Sequence, residues 1–270
     1  MSSEKAKTQG VVLSQKKLAP AIYDLRIKTE LAQGAKAGQF VGVFPENKST
    51  LLPRPISICE AVPEQECLRL VYRIVGAGTA QMSELKEGDS VRLLGNLGNG
   101  FPVEQAVGKT VFLMGGGIGI PPMLELAKQI RYAAEKAGSD AGTHIIAVLG
   151  YRDNQMFLKE DIERYAQVVI ATEDGSYGTK GNVLTAVSEN NLKADIIMAC
   201  GPMPMLRAIK KYAQDEKLSA YISLEERMAC GVGACLGCVC KTKEVDDHSK
   251  VHNARICTDG PVFLADDVEI

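Results

Sequence analysis

Thr110-Val111-Phe112-Leu113-Met114-Gly115-Gly116-Gly117-Ile118-Gly119-Ile120-Pro121-Pro122 runs from an apolar stretch through four glycines into two prolines. That order decides the fold. Residues 111–114 form a short apolar run bounded by a turn signal, as a buried strand does. Pro121 and Pro122 suit the first turn of a helix, where a missing N–H costs nothing. Met123, Leu126, Ala127, Ile130, Ala134 and Ala137 then recur on one face, and Gly138 suits the stop. Further apolar runs at 145–149, 168–171, 196–199 and 221–224 alternate with helical patterns. Strands alternating with helices predict a parallel sheet with right-handed crossovers, placed here at residues 106–224.

Upstream, residues 1–105 show no helical stripe. Short alternating runs such as Phe40-Val41-Gly42-Val43-Phe44 and Leu68-Arg69-Leu70-Val71-Tyr72-Arg73-Ile74 are separated by turn clusters such as Pro45-Glu46-Asn47 and Glu87-Gly88-Asp89. This pattern predicts a small antiparallel β-barrel. Downstream, residues 225–270 are short and rich in cysteine and glycine, with too little apolar content to hold a core unaided. The fold class expected is therefore a multi-domain arrangement of β-barrel, α/β domain and small C-terminal domain.

Composition narrows the function classes. The chain is 46% hydrophobic and 24% charged with a formal net charge of −2, which gives no footprint for nucleic acid and no polybasic membrane patch. Residues 1–9 are polar and lack the apolar core of a secretory signal. The longest uncharged run, 110–124, is broken by glycine and proline and is shorter than the roughly 20 residues a spanning helix needs. A cytoplasmic location is expected, where thiols stay reduced, so eight cysteines argue for metal ligation over disulfides.

The most specific motif is Cys230-x4-Cys235-x2-Cys238 with Cys257 further on, the spacing of plant-type [2Fe–2S] sites. One loop must wrap the cluster, and Gly231, Gly233 and Gly237 allow the tight turns this requires. Zinc is the first alternative, but only Cys235-x2-Cys238 forms a short knuckle. A thioredoxin-like dithiol is the second, and no helix pattern follows that pair. Cys240 competes with Cys257 for the fourth position. Cys59 and Cys67 read as small thiols of the barrel.

Two further stretches suit nucleotide cofactors. Arg54-Pro55-Ile56-Ser57 follows a turn and opens a strand; its arginine and serine are expected to reach one side, where a flavin nucleotide would lie. A proline-containing strand entry with a surface arginine is the plainer reading. Val71-Tyr72-Arg73 offers an aromatic ring for stacking, and Gly76-Ala77-Gly78-Thr79 a glycine turn with free amides. Gly116, Gly117 and Gly119 sit where a strand turns into a helix, a position that suits phosphate and equally a purely structural glycine turn. Ile120 occupies the last glycine position of the dinucleotide fingerprint, and no ribose-binding acid follows at the usual distance. A second turn, Cys200-Gly201-Pro202, ends a later strand at the same expected edge. Arg152 either meets a 2′-phosphate or covers surface. His144, His248 and His252 are too scattered to form a site.

The succession R-P-x-S, G-G-G-x-G-x-x-P and C-G-P resembles the ferredoxin–NADP reductase superfamily. The stretch Glu225-Glu226-Arg227-Met228-Ala229-Cys230-Gly231-Val232-Gly233-Ala234-Cys235-Leu236-Gly237-Cys238, with Arg255-Ile256-Cys257-Thr258-Asp259-Gly260-Pro261-Val262-Phe263, is similar to the electron-transfer subunits of dihydroorotate dehydrogenase B. The resemblance covers nearly the whole chain. It implies an FAD-binding barrel, with FAD held by Arg54, Pro55, Ile56, Ser57, Val71, Tyr72, Arg73, Gly78 and Thr79. It implies an NAD-binding α/β domain using Gly116, Gly117, Gly119 and Cys200, and a [2Fe–2S] domain with ligands Cys230, Cys235, Cys238 and Cys257. It also implies an FMN-containing catalytic subunit in a 2+2 heterotetramer. Electrons would pass from that FMN through cluster and FAD to NAD⁺ in pyrimidine (orotate and UMP) biosynthesis. No general acid or base is assigned, because hydride exchange with a flavin needs none. The related alternative is the flavin and iron–sulfur subunit of an NADPH-dependent ferredoxin or sulfide oxidoreductase; a zinc-stabilised interaction module is the non-enzymatic one. The chain departs from the family pattern in two places: eighteen residues separate Cys238 from Cys257, and Cys240 is extra.

Overall fold

The computed structural model describes residues 7–45, 51–138, 142–245 and 250–270. Glu46, Asn47 and His248, named above, lie outside the described residues. The first part contains β1 (Lys7–Ala19), β2 (Ile22–Lys28), β3 (Phe40–Phe44), β4 (Arg54–Val62), β5 (Cys67–Arg73) and β6 (Ser90–Leu97). They close into an antiparallel barrel in the order β1-β2-β5-β4-β3-β6. Period-two alternation sends Leu25, Ile27, Val41, Val43, Ile56, Ile58, Leu68, Leu70 and Leu93 inward, where all are buried. A six-residue helix, α1 (Ala77–Met82), interrupts this all-β part. It begins where the sequence suggested a glycine turn. Thr79 explains the difference: its hydroxyl accepts the Val75 and Gly76 N–H groups and donates to the Gly76 carbonyl, closing a first turn. Six residues are too few to show a periodic stripe.

The second part holds β7 (Thr110–Gly116), α2 (Pro121–Lys136), β8 (His144–Tyr151), α3 (Lys159–Glu163), β9 (Gln167–Thr172), β10 (Thr179–Lys180), α4 (Val183–Glu189), β11 (Ile196–Cys200), α5 (Met203–Glu216) and β12 (Ser219–Ser223). Strands β7 to β12 form one parallel sheet in the order β10-β9-β8-β7-β11-β12. Val111 and Leu113 face the layer of α2 and α3, while Phe112 and Met114 face that of α4 and α5. This two-faced burial is why the strands read as continuous apolar runs.

The third part has β13 (Val239–Lys241), β14 (Asn253–Arg255) and β15 (Val262–Leu264). β13 and β14 pair with each other, whereas β15 adds antiparallel to the edge of the large sheet along β12. Ile256, Val262, Ala265 and Val268 are buried against the rest of the protein. The segment that could not build a core has joined an existing one.

Barrel and α/β domain meet through polar groups. Glu125 on α2, 3% exposed, accepts the Ala61 N–H of β4 at 2.9 Å, and Gln129 exchanges hydrogen bonds with Ala35 and Ala37. Burial pushes the Glu125 carboxyl up, with Lys128 opposing the shift. Beside it Arg69 pairs bidentately with buried Asp24 at 2.9 to 3.1 Å and reaches Asp161 of α3 at 3.0 Å. Arg69→Met strands the Asp24 carboxylate inside the interface, and the urea midpoint should fall by the equivalent of about 3 kcal/mol.

Candidate functional site

Between β12 and β13 the chain has no regular structure and turns on left-handed residues: Gly231 at φ +69°, Gly233 at +81° and Leu236 at +53°. These turns aim main-chain amides at sulfur. Val232 N–H points to Cys230 Sγ at 3.4 Å, and Gly233 N–H to Cys257 Sγ at 3.2 Å. Burial raises the Cys230 thiol, but hydrogen bonds from the Val232, Cys235 and Ala234 amides and the Cys235 side chain outweigh it and bring it to about 6. Cys257 goes the other way, pushed up to about 12 by burial and by the adjoining Cys238. Cys238 and Cys257 are buried, and Cys235 is exposed.

The thiols therefore stand as two neighbouring pairs, Cys230 with Cys235 and Cys238 with Cys257. A two-iron cluster takes two thiolates per iron, and this donor set fits it. Among the described residues, no three His, Cys, Asp or Glu side chains gather as ligands of a single ion. Cys240 lines a separate cavity of about 240 Å³ with Met203, Arg207 and Leu224, which none of the four cysteines borders.

Around this loop the three parts of the protein converge. Phe40, Leu94 and Leu97 of the barrel wall share one apolar cluster with Cys238, Ile256 and Cys257, and with Leu224 beyond β12. Phe40 pairs with Ser57 across β3 and β4, so the Arg54–Ser57 stretch borders the same wall. Strand alternation corrects one expectation: Ile56 and Ile58 face inward, which leaves Ser57 outside beside Phe40 and puts Arg54 on the opposite parity. The Arg54 guanidinium instead lies against Gly78, where any Cβ would collide with it. Tyr72 also differs from the reading above. Its ring is buried in the barrel, stacked on Tyr23 at 6.0 Å with its hydroxyl donating to Gln15. Position 72 can offer a cofactor its main chain, not its ring. Thr79 is buried in α1.

At the carboxyl edge of the parallel sheet the two turns interlock. Gly115 of β7 is in register with Cys200 of β11, at the point where the strand order reverses, which is where open α/β sheets bind ligands. A Cβ at Gly119 would sit 2.3 Å from the Cys200 carbonyl oxygen, and one at Gly116 would strike Met205. Gly117 has φ +54° and faces Arg73, whose Nη2 lies 3.6 Å from its Cβ position. The Cys200 thiol is pushed up to about 12 by burial, against a hydrogen bond from Ser223. The ends of β8 and β9 are tied by Glu173 N–H to Tyr151 O and Asp174 N–H to Arg152 O. The main chains of two acids that sequence reasoning missed, Glu173 and Asp174, therefore adjoin those of Tyr151 and Arg152, with the Asp174 carboxylate accepting the Ser176 N–H and hydroxyl. The fingerprint places an acid after the second strand, and here they follow the third. His252 Nδ1 meets the Lys243 carbonyl, and His144 opens β8, so these two do not form a site.

Residues 225–269 match the iron–sulfur cluster binding domain of dihydroorotate dehydrogenase B, and residues 113–211 the oxidoreductase NAD-binding domain. The dihydroorotate dehydrogenase B (NAD(+)) electron transfer subunit of Bacillus pumilus is 40% identical over 263 residues, spanning 96% of both chains. That of Streptococcus mutans is 42% identical over 254 residues, 93% of this chain and 94% of the relative. The chain belongs to the family of dihydroorotate dehydrogenase B electron-transfer subunits. Among solved structures, an NADH-dependent reduced ferredoxin-NADP oxidoreductase superposes with TM-score 0.83 at 27% identity, over 96% of this chain and 89% of the other. A Neisseria gonorrhoeae ferredoxin NADP+ reductase shares the fold, with TM-score 0.64 at 18% identity over 83% and 95%.

For this dihydroorotate dehydrogenase B family member two outcomes follow from the geometry. Cys257→Ser should lose the cluster while Cys240→Ser keeps about two irons per chain, read by iron and sulfide analysis. Gly119→Ala should displace the Cys200 turn and weaken NADH binding about tenfold or more, read by titration of flavin absorbance.

Proposed function

We propose that this chain carries FAD, NAD and one [2Fe–2S] cluster and relays electrons between NAD and an FMN-containing dihydroorotate-oxidising subunit in a 2+2 heterotetramer of pyrimidine biosynthesis. The observation carrying this reading is the shared wall of Phe40 and Leu97, which borders the Arg54–Ser57 strand on one side and Cys238 and Cys257 on the other. Bound together, the cofactors supply two-electron hydride exchange at the nicotinamide and one-electron transfer at the cluster.

The chain's own residues then bind and orient. Arg54 offers a charged fork to the FAD diphosphate. Ser57 presents its hydroxyl to the flavin, and Val71 to Arg73 with Gly78 and Thr79 complete the cradle. Gly116, Gly117 and Gly119 at the start of α2 receive the dinucleotide phosphates. Cys200, with a thiol held neutral at physiological pH, borders the nicotinamide as a steric wall. The choice of NAD follows the NAD(+) in the names of the full-length relatives. Cys230, Cys235, Cys238 and Cys257 hold the cluster, and the exposed apolar residues Val232 and Leu236 in the same loop face the partner. No described helix is long and apolar enough to cross a membrane. The ferredoxin or sulfide oxidoreductase reading is the weaker one, since full-length relatives at 40% identity carry the dihydroorotate dehydrogenase B name.

An anaerobic absorbance spectrum with iron analysis tests the reading. Flavin and cluster bands, about two irons per chain and bleaching by NADH are expected. A colourless, zinc-containing chain would sink it. The isolated chain should not oxidise dihydroorotate.

A further inference from the structure

Eighteen residues separate Cys257 from Cys238, so the loop carrying the first three thiols does not by itself place the fourth. The arm after Cys257 is held from elsewhere. Asn99, two residues beyond β6, donates its main-chain N–H to the Gly260 carbonyl at 2.6 Å. Its side-chain Nδ2 donates to the Asp259 and Val262 carbonyls, both at 2.9 Å, and its Oδ1 accepts the Val262 N–H at 3.0 Å. One side chain thus mimics a strand partner along the four residues that lead from the fourth thiol arm into β15. Gly98 packs on Pro261 so closely that a Cβ there would lie 2.5 Å from the proline ring. On the other side Asn99 is continuous with the barrel wall: Leu97 is in register with Phe40, and Phe40 with Ser57. Gln39 fixes the Gly98 carbonyl at 2.9 Å.

We propose that Asn99 is a positioning residue for the electron relay: through it the barrel strand that borders the flavin sets where Cys257, and with it the cluster, stands relative to the flavin. Asn99 touches no ligand thiol and acts only through the Asp259–Val262 main chain. Electron transfer through protein falls steeply with distance, so a loosened arm would slow transfer between flavin and cluster and leave hydride exchange between nicotinamide and flavin unchanged. The proposal rests on the relay function above.

The test uses the full chain loaded with FAD and cluster, reduced by NADH in an anaerobic stopped-flow. In Asn99→Ala and Asn99→Asp, flavin reduction should stay within about twofold of wild type while cluster reduction slows about tenfold or more. Asn99→Asp keeps size and the acceptor for Val262 N–H but loses both side-chain donors, so it serves where the alanine variant does not fold. Hydrogen exchange at residues 258–262 should quicken, and the reduced-cluster EPR signal should broaden. Folded, loaded variants with wild-type cluster reduction and an unchanged EPR signal would overturn the proposal. A wild-type cluster that never accepts electrons from the flavin would instead overturn the relay reading itself.

Discussion

Pairing of Val262–Leu264 along β12 is the interaction on which the redox arrangement depends. The cysteine-bearing segment lacks the apolar content for a core, and backbone entropy of about 1 to 2 kcal/mol per ordered residue would melt it if it stood alone. Adding a strand to the edge of a sheet already stabilised by two helical layers fixes both of its ends. β12 delivers the chain into the loop, and β15 brings it back to the strand it left. The loop between is then a constrained bridge, and its left-handed glycines can aim amides at sulfur without an ensemble of alternatives.

The same economy appears at the nucleotide edge. Gly115–Gly119 and Cys200–Pro202 are glycine-rich partly because they must fit each other. The Cys200 carbonyl occupies the space a side chain at 119 would take, and Met205 the space of one at 116. The Gly115–Gly119 turn and the Cys200–Pro202 turn are therefore one packed unit. Strain at either is felt by the other, since interiors transmit displacement instead of absorbing it.

Much of this was legible in the sequence because it follows from local periodicity or spacing. The strand–turn–helix at residues 111–136 announces itself through apolar runs, glycines and two prolines. The cysteine spacing points to the cluster because three cysteines share one loop. What escaped depends on partners distant along the chain. The inward turn of Tyr72 follows from parity within β5, and Arg54 and Ser57 divide between two faces by the same rule. Thr79 capping a six-residue helix gives no stripe to see. Asn99 reads as an ordinary loop residue between glycines, and its bonds go to residues 160 or more positions away. Glu173 and Asp174 follow the third strand, not the second, and only the main-chain tie between β8 and β9 brings their backbone beside Tyr151 and Arg152.

The order of these elements along the chain has a consequence for biogenesis. Barrel and parallel sheet are complete by residue 223, and Cys230, Cys235 and Cys238 come next, before Cys257 and the strand that follows it. A nascent chain thus exposes reactive thiols on an otherwise folded body, with the sheet edge at β12 still unpaired. Domains fold as they emerge, from the N-terminal side first, so metal loading belongs to the last stage of maturation. That bare edge is also a template for wrong pairing.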